Sequence, residues 1–450
     1  MNDNTLHRVA RYASATRFGH LTPEAVHETL RRVIDSVACA AGAYDEDFCG
    51  QMRRVAARYS GDRVARIWGT NVRTSIEMAG LVNGTMVRYL DLSDTHLGQG
   101  AGHPSDMIPA LIALAESSGA SGRALITAVV VAYEVYCSLC EAALSTRVLD
   151  QATSAVAGCA AGAGNLLGLD AAAMAQAVSL ALAPNLHLYN VRCGELSDWK
   201  GCAGPNAARN GLFAALLASD GVTGPSAPIE GKGGLIELIG PFDWQPGAQA
   251  QPMIVQTHLK MHPVCYHGQS AVDASLALRG LLLLDQIESV EVETYDASYK
   301  VMGADRGRWE PATRETADHS LPFAVAVSLM DGVLASASYA PQRLVDPATR
   351  RFMDRIRVSP SNAMTHAYPD KAQTRITLRA QDGTAHAFLQ DHPLGHAANP
   401  VSDARLEEKL VSLFAPWGDE ARAHRTLETL WSLAGAQNIS AVVDALCPER

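Results

Sequence analysis

The sequence predicts a mainly α protein, a large all-helical domain built from both chain ends with an inserted α+β lid domain. Three observations carry this. Hydrophobic residues make up 48% of the 450 residues but aromatic ones only 6%, with alanine and leucine dominant. Apolar residues recur at spacings of three and four from Asp3 to about Ala250. After Pro252 the texture changes to short alternating runs, then returns to helix after Pro400. At this length two domains are expected rather than one core.

Taken in order, helix patterns cover residues 7–16, 22–44, 51–59 and 74–89, then 122–144, 152–167, 171–182 and 205–219. Thr22-Pro23-Glu24 reads as a cap with proline in the first turn, where a missing N–H costs little. The stretch 152–164 is rich in Ala and Gly, so helices can pack there at short distance. The longest apolar run, 124–139, contains Glu134 and is too short to span a bilayer; it reads as a buried helix. Residues 287–295 alternate apolar and polar like a half-exposed strand, and 355–358, 375–378 and 385–388 also read as strands. Helix patterns at 268–284 and 321–331 lie between them. The last helices are expected at 403–413, 420–433 and 439–446. The expected division is 1–255 helical, 256–396 α+β, and 397–450 a second part of the helical domain. A third small helical domain would look the same in sequence.

One stretch concentrates chemistry. Tyr89-Leu90-Asp91-Leu92-Ser93-Asp94-Thr95-His96 leads through a glycine-rich loop to Gly102-His103-Pro104-Ser105-Asp106, placing three Asp and two His within sixteen residues. Gly98, Gly100 and Gly102 let the backbone turn and approach a ligand closely. An alanine-rich apolar helix follows, with Ser105 as a candidate cap and Pro109 in its first turn. Acids, bases and hydroxyls ending at a helix N-terminus are well placed to hold an anion.

Three more polar clusters precede helix starts. Lys200 lies in Arg192–Gly201, ahead of a small-residue helix. Lys260, Cys265 and His267 lie at the domain boundary. His319 lies in 316–323, with Ser320 as a cap and Pro322 in the first turn. Together they supply what a polycarboxylate reaction needs: ammonium groups to bind carboxylates, and an imidazole or carboxylate to take a proton beside one. No GxGxxG follows a strand, and there is no P-loop and no GxSxG elbow. His96 and His103 fit no helical metal spacing, and the Cys137/Cys140 pair lies inside a helix pattern with no second pair nearby. Neither metal nor cofactor is expected.

Lys+Arg 37 against Asp+Glu 47 gives a net charge of −10, which argues against nucleic acid or an anionic membrane as the main partner. The N-terminus lacks a charged-then-apolar signal pattern. Nine cysteines without a secreted context read as free thiols, so a cytoplasmic location is expected.

In sequence order, these motifs resemble the MmgE/PrpD family, which includes 2-methylcitrate dehydratase and cis-aconitate decarboxylase. The resemblance rests on Asp91-Leu92-Ser93-Asp94-Thr95 with Gly102-His103-Pro104-Ser105-Asp106, on Ala132-Tyr133-Glu134-Val135, and on Ser197-Asp198-Trp199-Lys200. It continues through Lys260-Met261-His262-Pro263 with His267-Gly268-Gln269, then Arg314-Glu315-Thr316-Ala317-Asp318-His319-Ser320-Leu321-Pro322, and ends at Gly395 with Asn399-Pro400. It implies a helical domain made from both chain ends, an α+β lid, a metal-free pocket between them and a homodimer formed through the helical domain. Carried over by position, Asp91, Thr95, His103, Lys200 and Lys260 line that pocket. Two positions depart from the family pattern: Phe323 stands where tyrosine is common, and Gln151 where histidine is common.

The combined reading is a cofactor-free lyase acting on a small di- or tricarboxylate, most like a 2-methylcitrate dehydratase. His103 is the expected acid/base, Asp91 its orienting group and Lys200 a carboxylate anchor. Thr95, Lys260, Cys265, His267, His319 and Phe323 are expected at the substrate. A decarboxylase or epimerase on the same scaffold, and a non-catalytic carboxylate binder, are the alternatives.

Overall fold

The structure is a computed structural model that describes residues 3–448 apart from 62, 144–147 and 195. The first half builds a helical body from α1 (Asn4–Ala15), α2 (Pro23–Gly42), α3 (Asp47–Ala56), α4 (Ile76–Tyr89) and α5 (Ile108–Ser118). It continues with α6 (Gly122–Ala143), α7 (Ala152–Leu166), α8 (Ala171–Leu182) and α9 (Ala203–Ser219). Starts are capped as the sequence suggests: Thr22 Oγ1 accepts from Ala25 N at 3.1 Å, with Pro23 in the first turn.

Small residues set the packing at the centre. On α7, a Cβ at Gly158 or Gly162 would press on the backbone carbonyls of Ala132 or Ala128 of α6. On α9, a Cβ at Gly211 would strike the Val156 carbonyl of α7. The helices therefore meet nearly backbone to backbone. By length and composition α6 could cross a membrane, but 83% of its apolar window is buried inside the body.

The expectation of an almost wholly helical first half fails at one place. β1 (Val64–Arg66) and β2 (Arg73–Ser75) form an antiparallel hairpin, pairing Ala65 with Thr74. Three-residue strands are too short to show a period. The helix pattern assigned from 74 begins only at Ile76, with Ser75 as its cap.

The α+β unit carries a four-stranded sheet in the order β4-β3-β5-β6, from β3 (Ile287–Thr294), β4 (Ile356–Pro360), β5 (Thr374–Ala380) and β6 (Ala385–Gln390). β4 pairs parallel to β3, while β5 and β6 continue antiparallel. All four strands coincide with sequence-predicted runs. Ile287, Val290, Val292, Ile376 and Leu378 share one core with α10 (Gln269–Leu278) and α11 (Leu321–Asp331). The pattern read as helix to 284 stops at Leu278.

After Pro400 come α12 (Asp403–Leu413), α13 (Glu420–Trp431) and α14 (Ser440–Ala445). Leu406, Leu410, Leu430 and Val443 lie in the same apolar core as Ile34 of α2 and Val82 of α4. The two crossings between body and α+β unit run side by side: Leu259 N donates to Gly395 O at 2.9 Å. Gly395 has φ 93°, and a Cβ there would strike the Leu259 carbonyl, so both backbone and space require glycine.

Candidate active site

Asp91 is the pivot. Just past α4 it takes a left-handed conformation, φ 52°, which Asp tolerates better than most residues. Arg88 Nη1 donates to its Oδ1 at 2.7 Å. Lys260 Nζ donates to the same Oδ1 at 2.7 Å and to the Asp91 carbonyl at 2.9 Å. Oδ2 lies 3.5 Å from Lys200 Nζ and 3.8 Å from His319 Nδ1. Burial pushes this carboxyl up, but Arg88, Lys260 and Lys200 outweigh it and hold Asp91 well below the usual range. Lys260, itself fully buried, is pushed down by burial and partly restored by Asp91.

A second knot joins the body to the α+β unit. Lys200 Nζ donates to both carboxylate oxygens of Asp318 at 2.7 Å and lies 3.3 Å from His319 Nδ1. His319 Nδ1 is 2.5 Å from Asp318 Oδ1. Burial and Lys200 press the imidazole towards neutrality, but Cys265 and Asp318 prevail and raise its pKa above the ordinary histidine value. Burial would raise the Cys265 thiol; its His319 neighbour brings it below the usual value instead. Ligand atoms of Asp91, Asp318 and His319 lie within 4.8 Å of one another, the spacing of a cation site. The Lys200 ammonium already supplies the positive charge among them, so a metal ion there would have to displace it.

His103 is held the other way. Its Nδ1 lies 2.8 Å from the Asp94 carbonyl oxygen, which can only accept. Nδ1 therefore carries the proton and Nε2 keeps its lone pair. Burial, then Arg88 and Lys260, hold the ring well below the ordinary histidine pKa. Asp94 in turn is fixed by Tyr133 Oη at 2.8 Å and Ser105 N at 3.1 Å. The loop closes on itself through His96 N to Gly102 O at 2.8 Å and Thr95 Oγ1 to Gly102 O at 2.9 Å. Its glycines serve α6: a Cβ at Gly98 would strike the Glu141 carboxylate, and one at Gly102 the Tyr136 hydroxyl.

These groups line a cavity of about 380 Å³ between body and α+β unit. A larger cleft of about 640 Å³ lies across the 97–99 loop. Several of its polar groups are spent on one another: His96 Nε2 on Glu141 at 2.8 Å, Arg32 on Glu28 at 2.5 Å, and His258 stacked on His396 at 4.1 Å, while His96 Nδ1 and Arg31 Nε have no hydrogen-bond partner among the described residues. The smaller cavity has more buried polar atoms with no hydrogen-bond partner among the described residues: Arg88 Nε, Asp91 Oδ2, Tyr266 Oη and Arg308 Nη1. Such atoms await a ligand or water.

Comparison with known proteins agrees with the motifs. The MmgE/PrpD N-terminal domain matches residues 7–245, and the MmgE/PrpD C-terminal domain matches 262–433. The chain belongs to the MmgE/PrpD family. It is 28% identical to a 2-methylcitrate dehydratase of Cupriavidus necator over 88% of each chain. It is 27% identical to that of Escherichia coli K12, over 81% of this chain and 80% of the relative. An alkylcitrate dehydratase, phiI, of a fungal species is 25% identical over 87% of this chain and 84% of its own length.

Of the residues singled out from the sequence, the cavity of this MmgE/PrpD protein collects Asp91, Thr95, His103, Lys200, Lys260, Cys265, His267 and His319. It does not collect Phe323, whose ring is fully buried in the α+β core, 5.9 Å from that of Tyr339. The Thr95 hydroxyl proton is spent on loop closure. Gln151 occupies the departure position as a strut, its Oε1 accepting from the Tyr136 hydroxyl and its Nε2 donating to Asp106 at 3.4 Å. Ser105 does not cap α5; its N–H goes to Asp94, and Met107 stands at the cap without a side-chain bond. Sequence reasoning missed Arg88 and Arg308. Each is a lone residue in a helix or loop pattern, where a solvated face is the ordinary reading.

Proposed function

We propose that the protein is a hydro-lyase that removes water from a small hydroxylated di- or tricarboxylate of the 2-methylcitrate type. The observation that carries this is a pair of histidines in one cavity with opposed partners: His103 Nδ1 on the Asp94 carbonyl at 2.8 Å, its pKa pushed below the ordinary value by burial and nearby cations, and His319 Nδ1 on the Asp318 carboxylate at 2.5 Å, its pKa, against burial, raised by Cys265 and Asp318. Environments that push two titratable groups apart assign base and acid. His103 Nε2 takes the proton on the carbon beside a carboxylate. His319 gives a proton to the departing hydroxyl on the next carbon, and water leaves as the double bond forms.

Lys260 uses two of its N–H bonds on Asp91, so one is left for the carboxylate whose charge builds up. Arg88 Nε supplies another donor. Lys200 is engaged by Asp318 and acts through the Asp318–His319 pair. Asp91 fixes Lys260 and Arg88 in position. Thr95 holds the loop, and Cys265 and His267 contribute walls. The names of the relatives support a dehydratase over a decarboxylase or epimerase.

The domain division at 1–255, 256–396 and 397–450 goes with this reading: the α+β unit acts as a lid, and its closure excludes water from the cavity. A homodimer is proposed with it. Leu188, Trp199 and Phe213 of the body are exposed at 73%, 50% and 51%, apolar area that a partner body would cover. Light scattering should then give twice the chain mass, and Phe213→Glu should shift it towards the monomer. Free thiols fit a reducing cytoplasm.

The test is incubation of the purified protein with citrate, 2-methylcitrate, aconitate and tartrate, followed by proton NMR, with and without EDTA. New vinyl signals, unchanged by EDTA, are expected. Deuterium uptake without an alkene would point to an epimerase, carbon dioxide loss to a decarboxylase. No change with any compound would reject the enzymatic reading.

A further inference from the structure

The cavity's charges do not balance, and the imbalance has an address. Arg88 and Lys260 are paired with Asp91, Lys200 with Asp318, and Arg192 with Asp150 at 2.8 Å. Lys300 at the cavity edge is paired with Asp296 at 2.7 Å. Arg308 is the cation in the lining with no ion pair among the described residues, although it is only 6% exposed and its Nη1 is fully buried. An unpaired buried charge is costly.

Its placement is built rather than incidental. Arg308 sits in a single helical turn, Arg306–Trp309. Its carbonyl accepts from Ser320 Oγ, the residue that also caps α11 and directly follows His319. The next carbonyl, of Trp309, accepts from Arg350 Nη1 at 3.1 Å. The backbone carrying the guanidinium is thus tied to the element that carries the proposed acid.

We propose that Arg308 is a specificity-determining residue: it binds the third carboxylate of a tricarboxylate, so that the site prefers tricarboxylates to dicarboxylates. This rests on the carboxylate reading above and deepens it. Four buried cations, Arg88, Lys200, Lys260 and Arg308, and the partly buried Arg192 face the buried carboxylates Asp91, Asp150 and Asp318, with the exposed Asp305 at the rim, which leaves room for an anionic ligand. The planar fork of Arg308 fits a carboxylate with two parallel bonds.

The test is calorimetric binding of citrate and of citramalate, in which a methyl replaces one carboxymethyl arm so that one carboxylate is lost, to the unaltered chain, Arg308→Gln and Arg308→Lys. The unaltered chain should favour citrate. Arg308→Gln should weaken citrate by about 10–100-fold and citramalate far less, removing the preference. Arg308→Lys should restore part of it, since a point charge keeps the attraction but loses the fork. Equal losses for both ligands, or none for citrate, would overturn the assignment. If the unaltered chain bound neither ligand, the carboxylate reading would fall and this assignment with it. If it bound both and Arg308→Gln left their ratio unchanged, only the assignment would fall.

Discussion

Lys200 Nζ lies 2.7 Å from both carboxylate oxygens of Asp318, and this symmetric contact ties the helical body to the α+β unit at the floor of the cavity. The sequence presents Lys200 as an anchor for a substrate carboxylate. In the structure it is 3% exposed and already engaged.

Lys200→Ala should therefore cost stability as well as turnover. Removing one partner of a buried pair leaves the other uncompensated, a loss of about 3–5 kcal/mol. Lys200→Arg should rescue little, because a planar fork cannot replace an ammonium between Asp318 and His319 without moving both. Urea unfolding alongside steady-state kinetics reads both effects. Unchanged stability with a raised KM alone would return Lys200 to the role of simple anchor.

The pH profile should carry the signature of the opposed histidines. The base works when unprotonated, and the His103 pKa lies well below 6.5, so the acid limb of kcat/KM should fall below the ordinary histidine range. The acid works when protonated, and the His319 pKa lies above 6.5, so the alkaline limb should fall above that range. The profile should be flat through pH 6.5. His103→Ala should lower kcat by roughly 10²–10⁴-fold with KM much less changed. A limb centred at the ordinary histidine value would remove one of the two from its role.

Much of this architecture is legible in the chain because helix periods and alternating strands are local signals. Thr22 and Ser320 cap as their neighbours suggest. The site is half legible. Asp91, His103 and His319 come with recognisable motifs, whereas Arg308 and Arg88 acquire meaning only from what folding leaves unpaired. Lys409 of α12 is the extreme case. It donates to Asp35 at 2.5 Å, Leu92 O at 3.0 Å and Lys260 O at 2.8 Å, bracing the site from the far end of the chain. No local pattern could announce that. In sequence the glycines of the 97–102 loop read as letting the backbone turn towards a ligand; what the fold adds is that Gly98 and Gly102 lie against Glu141 and Tyr136 of α6.

Asp91→Asn separates charge from backbone. Asparagine tolerates the left-handed conformation, so the turn at φ 52° should survive. What disappears is the negative charge between Arg88, Lys260 and Lys200. The buried cations then repel one another, and about 3–5 kcal/mol of stability should be lost at neutral pH. The sign with pH follows from the depressed Asp91 carboxyl. Its contribution is present above the unfolded carboxylate value and is lost as pH falls through the lower, folded one. The difference in unfolding free energy between the two proteins should accordingly shrink in acid. A constant difference at all pH values would mean that the substitution damages packing, not charge.

Phe323→Tyr tests whether the departure at that position limits the chemistry. Tyrosine is common there in the family, and a phenol can relay a proton where a phenyl ring cannot. Here, however, residue 323 is fully buried within the α+β core, beside Tyr339, whose hydroxyl already donates to the Pro263 carbonyl at 2.7 Å. A new hydroxyl would enter a packed apolar cluster. Without a partner it should cost about 1–3 kcal/mol, added to the strain of overpacking. Turnover should not rise, since the ring does not reach the cavity lining. Thermal unfolding and kinetics on the same preparation decide between the two accounts. A faster enzyme at undiminished stability would mean that the phenol finds a path to the substrate, and would make residue 323 part of the proton relay after all.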